Sequence, residues 1–143
     1  MILYLDTSSL IKLYLEEQGR DAVIKLVRQA QNVAASLVGY AEARSGLARA
    51  HAVGRLTEQS YRQALRAFEE RWTSAVVVEV SRFLVHRAGD LAARHLIRGF
   101  DSIHLASALA LRASIGEPLT FSAWDDRLLA AAQAEGLTVA PIT

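Results

Sequence analysis

Four carboxylates stand out in this 143-residue chain because of what surrounds them. Asp6 ends the apolar run Ile2-Leu3-Tyr4-Leu5, where a lone charge is costly unless solvent, a partner or a cation meets it. Glu42 is the only acid between Val33 and Leu56. Asp101 opens a segment that is apolar nearly all round, and Asp125 with Asp126 opens the last amphipathic stretch. Each has a plain alternative role. Asp6, Asp101 and one of the pair Asp125 and Asp126 can cap a helix N-terminus. Glu42 lies off the apolar stripe of Tyr40, Ala43, Leu47 and Ala48, where a solvated helix surface would hold it. Taken together they describe a different chemistry. Clustered carboxylates raise one another's pKa unless a divalent cation neutralises them, and oxygen-only ligands select a hard ion such as Mg²⁺ or Mn²⁺. Such an ion activates water and stabilises the charge that builds up during attack on a phosphodiester. The chain has no cysteine, so thiolate metal sites, disulfides and cysteine nucleophiles are excluded, in agreement with a reducing cytoplasm.

The elements that must position these acids are outlined by the hydrophobic pattern. Ile2 to Leu5 reads as a strand, and the polar Thr7-Ser8-Ser9 leads into a helix reaching Leu15 that Gly19 closes. Asp21 opens a second helix, Val33 to Ser36 reads as a short strand, and a long helix runs from about Leu37 to Val53, ended by Gly54. Thr57 then caps a helix whose Tyr61, Leu65, Phe68 and Trp72 share one face. The β-branched segment Ala75 to Val80 predicts a strand buried on both faces, followed by a helix from about Ser81 to His95. An interior helix over Asp101 to Ala113, a strand at Leu119 to Ser122, a last helix ending near Gly136 and an edge strand at Leu137 to Ala140 complete the series. Strands alternating with helices predict an α/β fold with a mostly parallel sheet covered on both faces. Such sheets bind ligands beyond the carboxyl ends of their strands, where the strand order reverses. Three of the four acid sites fall next to strand ends or at the start of the buried helix.

Composition sets the outer limits. With 52% hydrophobic and 22% charged residues, the chain fits one domain over residues 1–143 and excludes long disorder. A net charge of +1 does not mark a nucleic-acid binder, so any such site must be a local patch. Of the sixteen basic residues only Lys12 and Lys25 are lysines, and the arginine fork suits phosphate. No segment approaches the roughly 18 to 20 apolar residues of a bilayer span, and Met-Ile-Leu-Tyr-Leu-Asp lacks a basic leader. The expectation is a cytoplasmic protein with no membrane partner.

The segment Tyr4-Leu5-Asp6-Thr7-Ser8-Ser9-Leu10-Ile11-Lys12-Leu13-Tyr14 resembles the opening motif of PIN domains, especially the toxin ribonucleases of VapBC type II toxin-antitoxin pairs. Tyr40-Ala41-Glu42-Ala43-Arg44, Asp101-Ser102-Ile103-His104-Leu105-Ala106-Ser107-Ala108 and Trp124-Asp125-Asp126-Arg127-Leu128 resemble the same family, in the family's order. The resemblance spans essentially the whole chain. It implies a three-layer α/β/α PIN-like domain in which Asp6, Glu42, Asp101 and Asp125 surround one or two Mg²⁺ or Mn²⁺ ions. It further implies hydrolytic endonucleolytic cleavage of RNA to a 5′-phosphate and a 3′-hydroxyl, homodimerisation, and inhibition by a cognate VapB-type antitoxin. Transfer RNA is the first candidate substrate, ahead of ribosomal or messenger RNA.

One departure concerns Ala123, where the family commonly has Thr or Ser two residues before its last acid; Asp125 is preferred to Asp126 because it precedes Leu128 by the usual three residues. Ser8 resembles the small polar residue that supports the first acid, with an N-cap or turn as its plain alternative. Lys12, Arg98 and Arg127 are candidates for RNA contact, against solvated or ion-paired surface charges. His104 follows Asp101 by three residues, and a hydrogen-bonded core histidine is the favoured reading. The stripe of Tyr61, Leu65, Phe68 and Trp72 either docks on its own sheet or leaves an apolar patch for a second copy and an antitoxin helix. Two other readings stay open: a PIN nuclease of RNA processing outside a toxin pair, and a catalytically silent module that binds RNA or protein. A response-regulator receiver is disfavoured because no lysine follows Lys25, and a dehalogenase-like phosphatase because Ser8 stands where a second aspartate is needed.

Overall fold

Five parallel strands form the centre of the molecule in the order β3-β2-β1-β4-β5, in a computed structural model that describes residues 1–141. The strands are β1 (Ile2–Leu5), β2 (Asn32–Ser36), β3 (Val76–Val78), β4 (Leu119–Ser122) and β5 (Thr138–Ala140). Seven helices connect them: α1 (Thr7–Lys12), α2 (Arg20–Gln29), α3 (Val38–Ala52), α4 (Glu58–Ser74), α5 (Arg82–His95), α6 (Gly99–Ile115) and α7 (Asp126–Ala134). The expected α/β/α architecture is present, and the sheet is parallel throughout.

Alternation along β1 shows how the sheet separates two cores. Ile2 and Tyr4 face a cluster built with α5, α6 and α7, including Leu84, Leu91, Leu105, Leu109, Phe121 and Leu128. Leu3 and Leu5 face the opposite layer, α1 to α4, and pack with Leu10, Val23, Leu47 and Phe68. All four β1 residues are buried, as a central parallel strand requires. The Ala75 to Val80 segment departs from expectation: only Val76–Val78 is strand, and it is half-buried because β3 pairs only with β2 and forms the edge of the sheet.

One local expectation also changes. The first helix ends at Lys12 rather than Leu15, and Gly19 does not close it; with φ at +92° Gly19 begins α2 instead. The stripe of α4 packs against its own layer. Phe68 is fully buried, Tyr61 stacks on His51 and Trp72 packs beside Tyr40, while Tyr61, Leu65 and Trp72 each stay half-buried at the outer edge of the stripe.

The chain runs from β1 outward to β2 and β3, then returns across β1 to β4 and β5. The strand order therefore reverses between β1 and β4. At this reversal the Asp6 amide donates to the Ser122 carbonyl at 3.1 Å, and the Ser9 and Ser122 hydroxyls meet at 2.8 Å in the interior. A crevice opens beyond the carboxyl ends of these two strands.

Candidate active site

Each of the four acids reaches this crevice from a different element. Asp6 follows β1 and caps α1: its Oδ1 accepts from the Ser9 amide at 3.0 Å and the Ser8 hydroxyl at 2.7 Å. Asp125 follows β4 and caps α7, its Oδ1 accepting from the Leu128 amide at 3.0 Å. Asp101 sits in the first turn of α6, where Arg98, not Asp101, is the cap residue. Glu42 projects from α3. Capping and site membership are therefore not alternatives for Asp6 and Asp125, because each cap uses one oxygen. The positive ends of α1, α6 and α7 also offset part of the repulsion among these carboxylates.

All four line one cleft of about 400 Å³, together with Thr7, Ser8, Ile11, Arg98, His104 and Trp124. Asp126 does not; it is exposed on the first turn of α7. No donor among the described residues reaches Asp6 Oδ2, Glu42 Oε2 or Asp101 Oδ1. Among the described residues, no three histidine, cysteine or carboxylate side chains are close enough to hold one ion directly between them.

The electrostatics differ from one acid to the next. Burial pushes the Asp6 carboxyl above its usual range; the His104 ring, the Ser8 hydroxyl and the Ser9 amide pull it back only in part, and Asp101 pushes with burial. For Glu42 burial also pushes upward, but hydrogen bonds from His104 and Thr7 prevail and hold the carboxyl low. Arg98 spans the other two acids, donating from Nε to Asp101 at 3.0 Å and from Nη2 to Asp125 at 3.5 Å.

The remaining sequence candidates separate clearly. Ser8 touches Asp6 and also accepts from the Trp124 amide at 3.2 Å, tying the loop that carries Asp125 to the start of α1. Arg127 lies with Arg98 in an adjoining recess that also touches Asp101 and Asp125. Lys12 is not among the residues that line the cleft: it pairs with Glu17 at 3.3 Å and lies over the Trp124 ring at 5.0 Å. His104 is a buried, hydrogen-bonded histidine and also reaches the site, its Nε2 lying 2.7 Å from Glu42 Oε1. Sequence reasoning missed Thr7, which donates to the same oxygen at 2.5 Å, and Tyr4, whose hydroxyl lies 2.9 Å from His104 Nδ1. Neither contact has a local signal, because the partners are 35 and 100 residues apart.

Comparison with known proteins gives a consistent picture. The chain is 37% identical over 141 residues to Ribonuclease VapC45 of Mycobacterium tuberculosis, covering 98% of this chain and 95% of that protein. Its fold matches the Mycobacterium tuberculosis toxin VapC20, which cleaves the sarcin-ricin loop, with a TM-score of 0.65 and 21% identity, covering 95% of this chain and 96% of the other. VapBC-1 from nontypeable Haemophilus influenzae matches with a TM-score of 0.65 and 20% identity, covering 97% and 96% respectively. The PIN domain pattern matches residues 3–132, a span that holds all four cleft acids. The chain belongs to the PIN domain family, of the VapC type.

Proposed function

We propose that the chain is a Mg²⁺- or Mn²⁺-dependent endoribonuclease, the toxin of a type II pair restrained by a VapB-type antitoxin. The observation that carries this reading is the convergence of Asp6, Glu42, Asp101 and Asp125, from four separate elements, on one cleft. The relative's name, Ribonuclease VapC45, supports the same activity. The donor set suits a hard cation: carboxylate oxygens only, three of them without a protein donor. Asp6, Glu42, Asp101 and Asp125 would hold one or two such ions partly through water, which fits an ion that keeps several waters and a cleft in which, among the described residues, no three such groups are placed to hold one ion directly. The chemistry a bound ion supplies is activation of water and stabilisation of charge on the phosphate.

The protein's own contribution is positioning. Ser8 and the Ser9 amide fix Asp6, so its free oxygen keeps one orientation. Arg98 and Arg127 at the rim present guanidinium forks to RNA phosphates, with Arg98 exchanging its carboxylate partners for the substrate. Lys12, paired with Glu17 and only 12% exposed, would have to give up that partner to reach a phosphate. Transfer RNA is the first substrate to test, ahead of ribosomal and messenger RNA, and such substrates place the action in the cytoplasm. The negative cleft also suits a basic side chain from an antitoxin helix, which would exclude metal and substrate together.

Incubating the purified chain with a mixed RNA pool and Mg²⁺ or Mn²⁺ tests the reading. Internal cleavage that stops with EDTA is expected, and Asp6→Asn and Asp101→Asn should each abolish it with the circular dichroism spectrum unchanged. Wild-type turnover by both variants, or full activity in excess EDTA, refutes it. Mapping the released 5′ ends identifies the substrate, and co-purification with the product of the neighbouring gene tests the antitoxin.

A further inference from the structure

Glu42 is the cleft acid that the backbone holds least. Asp6 and Asp125 are anchored as helix caps, and Asp101 is paired by Arg98. Glu42 instead sits inside α3 on a longer side chain that is 29% exposed, and neither a cap nor an ion pair with arginine or lysine orients it. What holds it comes from two other elements, one in its own layer and one across the sheet. His104 on α6 places Nε2 at 2.7 Å from Oε1, and Thr7 on α1 donates its hydroxyl to the same oxygen at 2.5 Å. Thr7 Oγ1 and His104 Nε2 are themselves 3.2 Å apart, so the three groups form a closed triangle.

Behind His104 the chain of contacts continues into the core. Its Nδ1 meets the Tyr4 hydroxyl at 2.9 Å; both residues are almost fully buried, and the Tyr4 ring stacks on Phe121 at 5.4 Å. A carboxylate only accepts hydrogen bonds, so Nε2 must carry the hydrogen that meets Glu42. The Tyr4 hydroxyl then donates to a neutral Nδ1, or accepts from it if the ring is charged. Either way the ring orientation is the same, and the arrangement does not depend on the histidine's charge.

We propose that Tyr4, His104 and Thr7 form a positioning device for Glu42: they engage Oε1, leave Oε2 free at the cleft, and thereby set how tightly the site takes a divalent cation. This rests on the cation-dependent reading of the cleft given above. The logic is that of an outer layer of hydrogen bonds around a metal site, in which the partner of a ligand fixes its orientation. His104 is thus a positioning residue rather than a catalytic one.

The test measures binding of Mn²⁺ alone to the full chain by calorimetry, with circular dichroism to establish folding. His104→Phe should weaken Mn²⁺ binding by about 10- to 100-fold, and His104→Gln, whose amide can still donate to Glu42, should recover much of the loss. Thr7→Val and Tyr4→Phe each delete only a hydroxyl and should weaken binding by smaller factors; they carry the test if His104→Phe does not fold. In a Glu42→Gln background, His104→Phe should add little further loss, because it acts through that carboxylate. In the metal-free wild type, the ¹⁵N spectrum of the His104 ring should show a protonated Nε2. Folded variants that bind Mn²⁺ as wild type does, an equal further loss in the Glu42→Gln background, or a bare Nε2 would each overturn the proposal. Asp101→Asn separates the two levels: if it leaves Mn²⁺ binding intact, the cation reading of the cleft fails and this inference with it. If it abolishes binding while the His104 and Thr7 variants do not matter, only the positioning role fails.

Discussion

At the scale of residues, Asp6 combines two demands that oppose each other. It must cap α1 with one oxygen, and it is only 4% exposed, so its charge is held where water solvates it poorly. Burial raises its pKa, and the folded chain therefore holds the proton more tightly than the unfolded chain does. Without a cation, its contribution to stability is most favourable at or below the ordinary aspartate range and worsens as pH rises through the raised folded value. Glu42, held low after burial is outweighed by His104 and Thr7, runs the other way: its stabilisation is present above the ordinary glutamate range and lost as pH falls through the lowered value. Asp6→Asn keeps a capping oxygen and removes the charge. In EDTA at neutral pH it should therefore stabilise the protein by on the order of 1 kcal/mol, while abolishing cleavage, a trade typical of a strained functional site. Urea unfolding of both proteins checks this. A loss of stability in Asp6→Asn would mean that the ionised carboxylate is a net anchor of α1.

At the scale of elements, the loop carrying Asp125 is held by Trp124, whose ring lies between Lys12 and the turn at Gly19. A Cβ added at Gly19 would lie 2.5 to 2.9 Å from three atoms of that ring, and φ at +92° is itself unfavourable for any other residue. Gly19→Ala should cost about 2 to 3 kcal/mol, since a rigid indole cannot yield as a flexible chain end would. Urea unfolding reads the cost; a loss below 0.5 kcal/mol, the level of an ordinary surface substitution, would show that the turn relaxes freely. This contact explains one limit of reading the sequence. Gly19 is recognisable as a breaker, but it opens α2 because α1 has already ended at Lys12, and the Trp124 ring packed against it comes from more than a hundred positions away. β3 is a similar case: Val76-Val77-Val78 reads as buried strand whether its sheet continues or stops, and the pairing that makes it an edge is non-local. The cleft acids were legible because each stands at an abrupt change in pattern, as Asp6 does after four apolar residues. Thr7 and Tyr4 were not, because a hydroxyl beside a strand has no pattern of its own until the fold brings its partner.

At the scale of the whole molecule, the placement of exposed apolar groups bears on assembly. The α4 stripe packs mainly against its own layer, and the large apolar side chains left outward include Leu96, 76% exposed, at the turn between α5 and α6, and Phe100, 59% exposed, in the first turn of α6. Leu96 is also the only non-glycine with positive φ among the described residues, at +54°, in the capping position after α5 that glycine ordinarily fills. A left-handed conformation costs a branched side chain about 1 to 2 kcal/mol, and an exposed leucine recovers none of that within one chain. We propose that the cost is offset by contact with a second copy, the homodimer expected of the family, with Leu96 and Phe100 in the interface. Leu96→Gly should then raise the stability of the isolated chain by about 1 kcal/mol while weakening self-association at least 10-fold, the loss expected when an apolar anchor leaves an interface core. Light scattering over a dilution series measures the association, and urea unfolding at low concentration measures the stability. A wild type that stays monomeric at every concentration, or a Leu96→Gly dimer as tight as the wild type, would remove this turn from the interface. Phe100→Ser provides the independent second arm, since it lies on a helix with ordinary backbone geometry and should weaken the dimer without the gain in stability that the glycine confers.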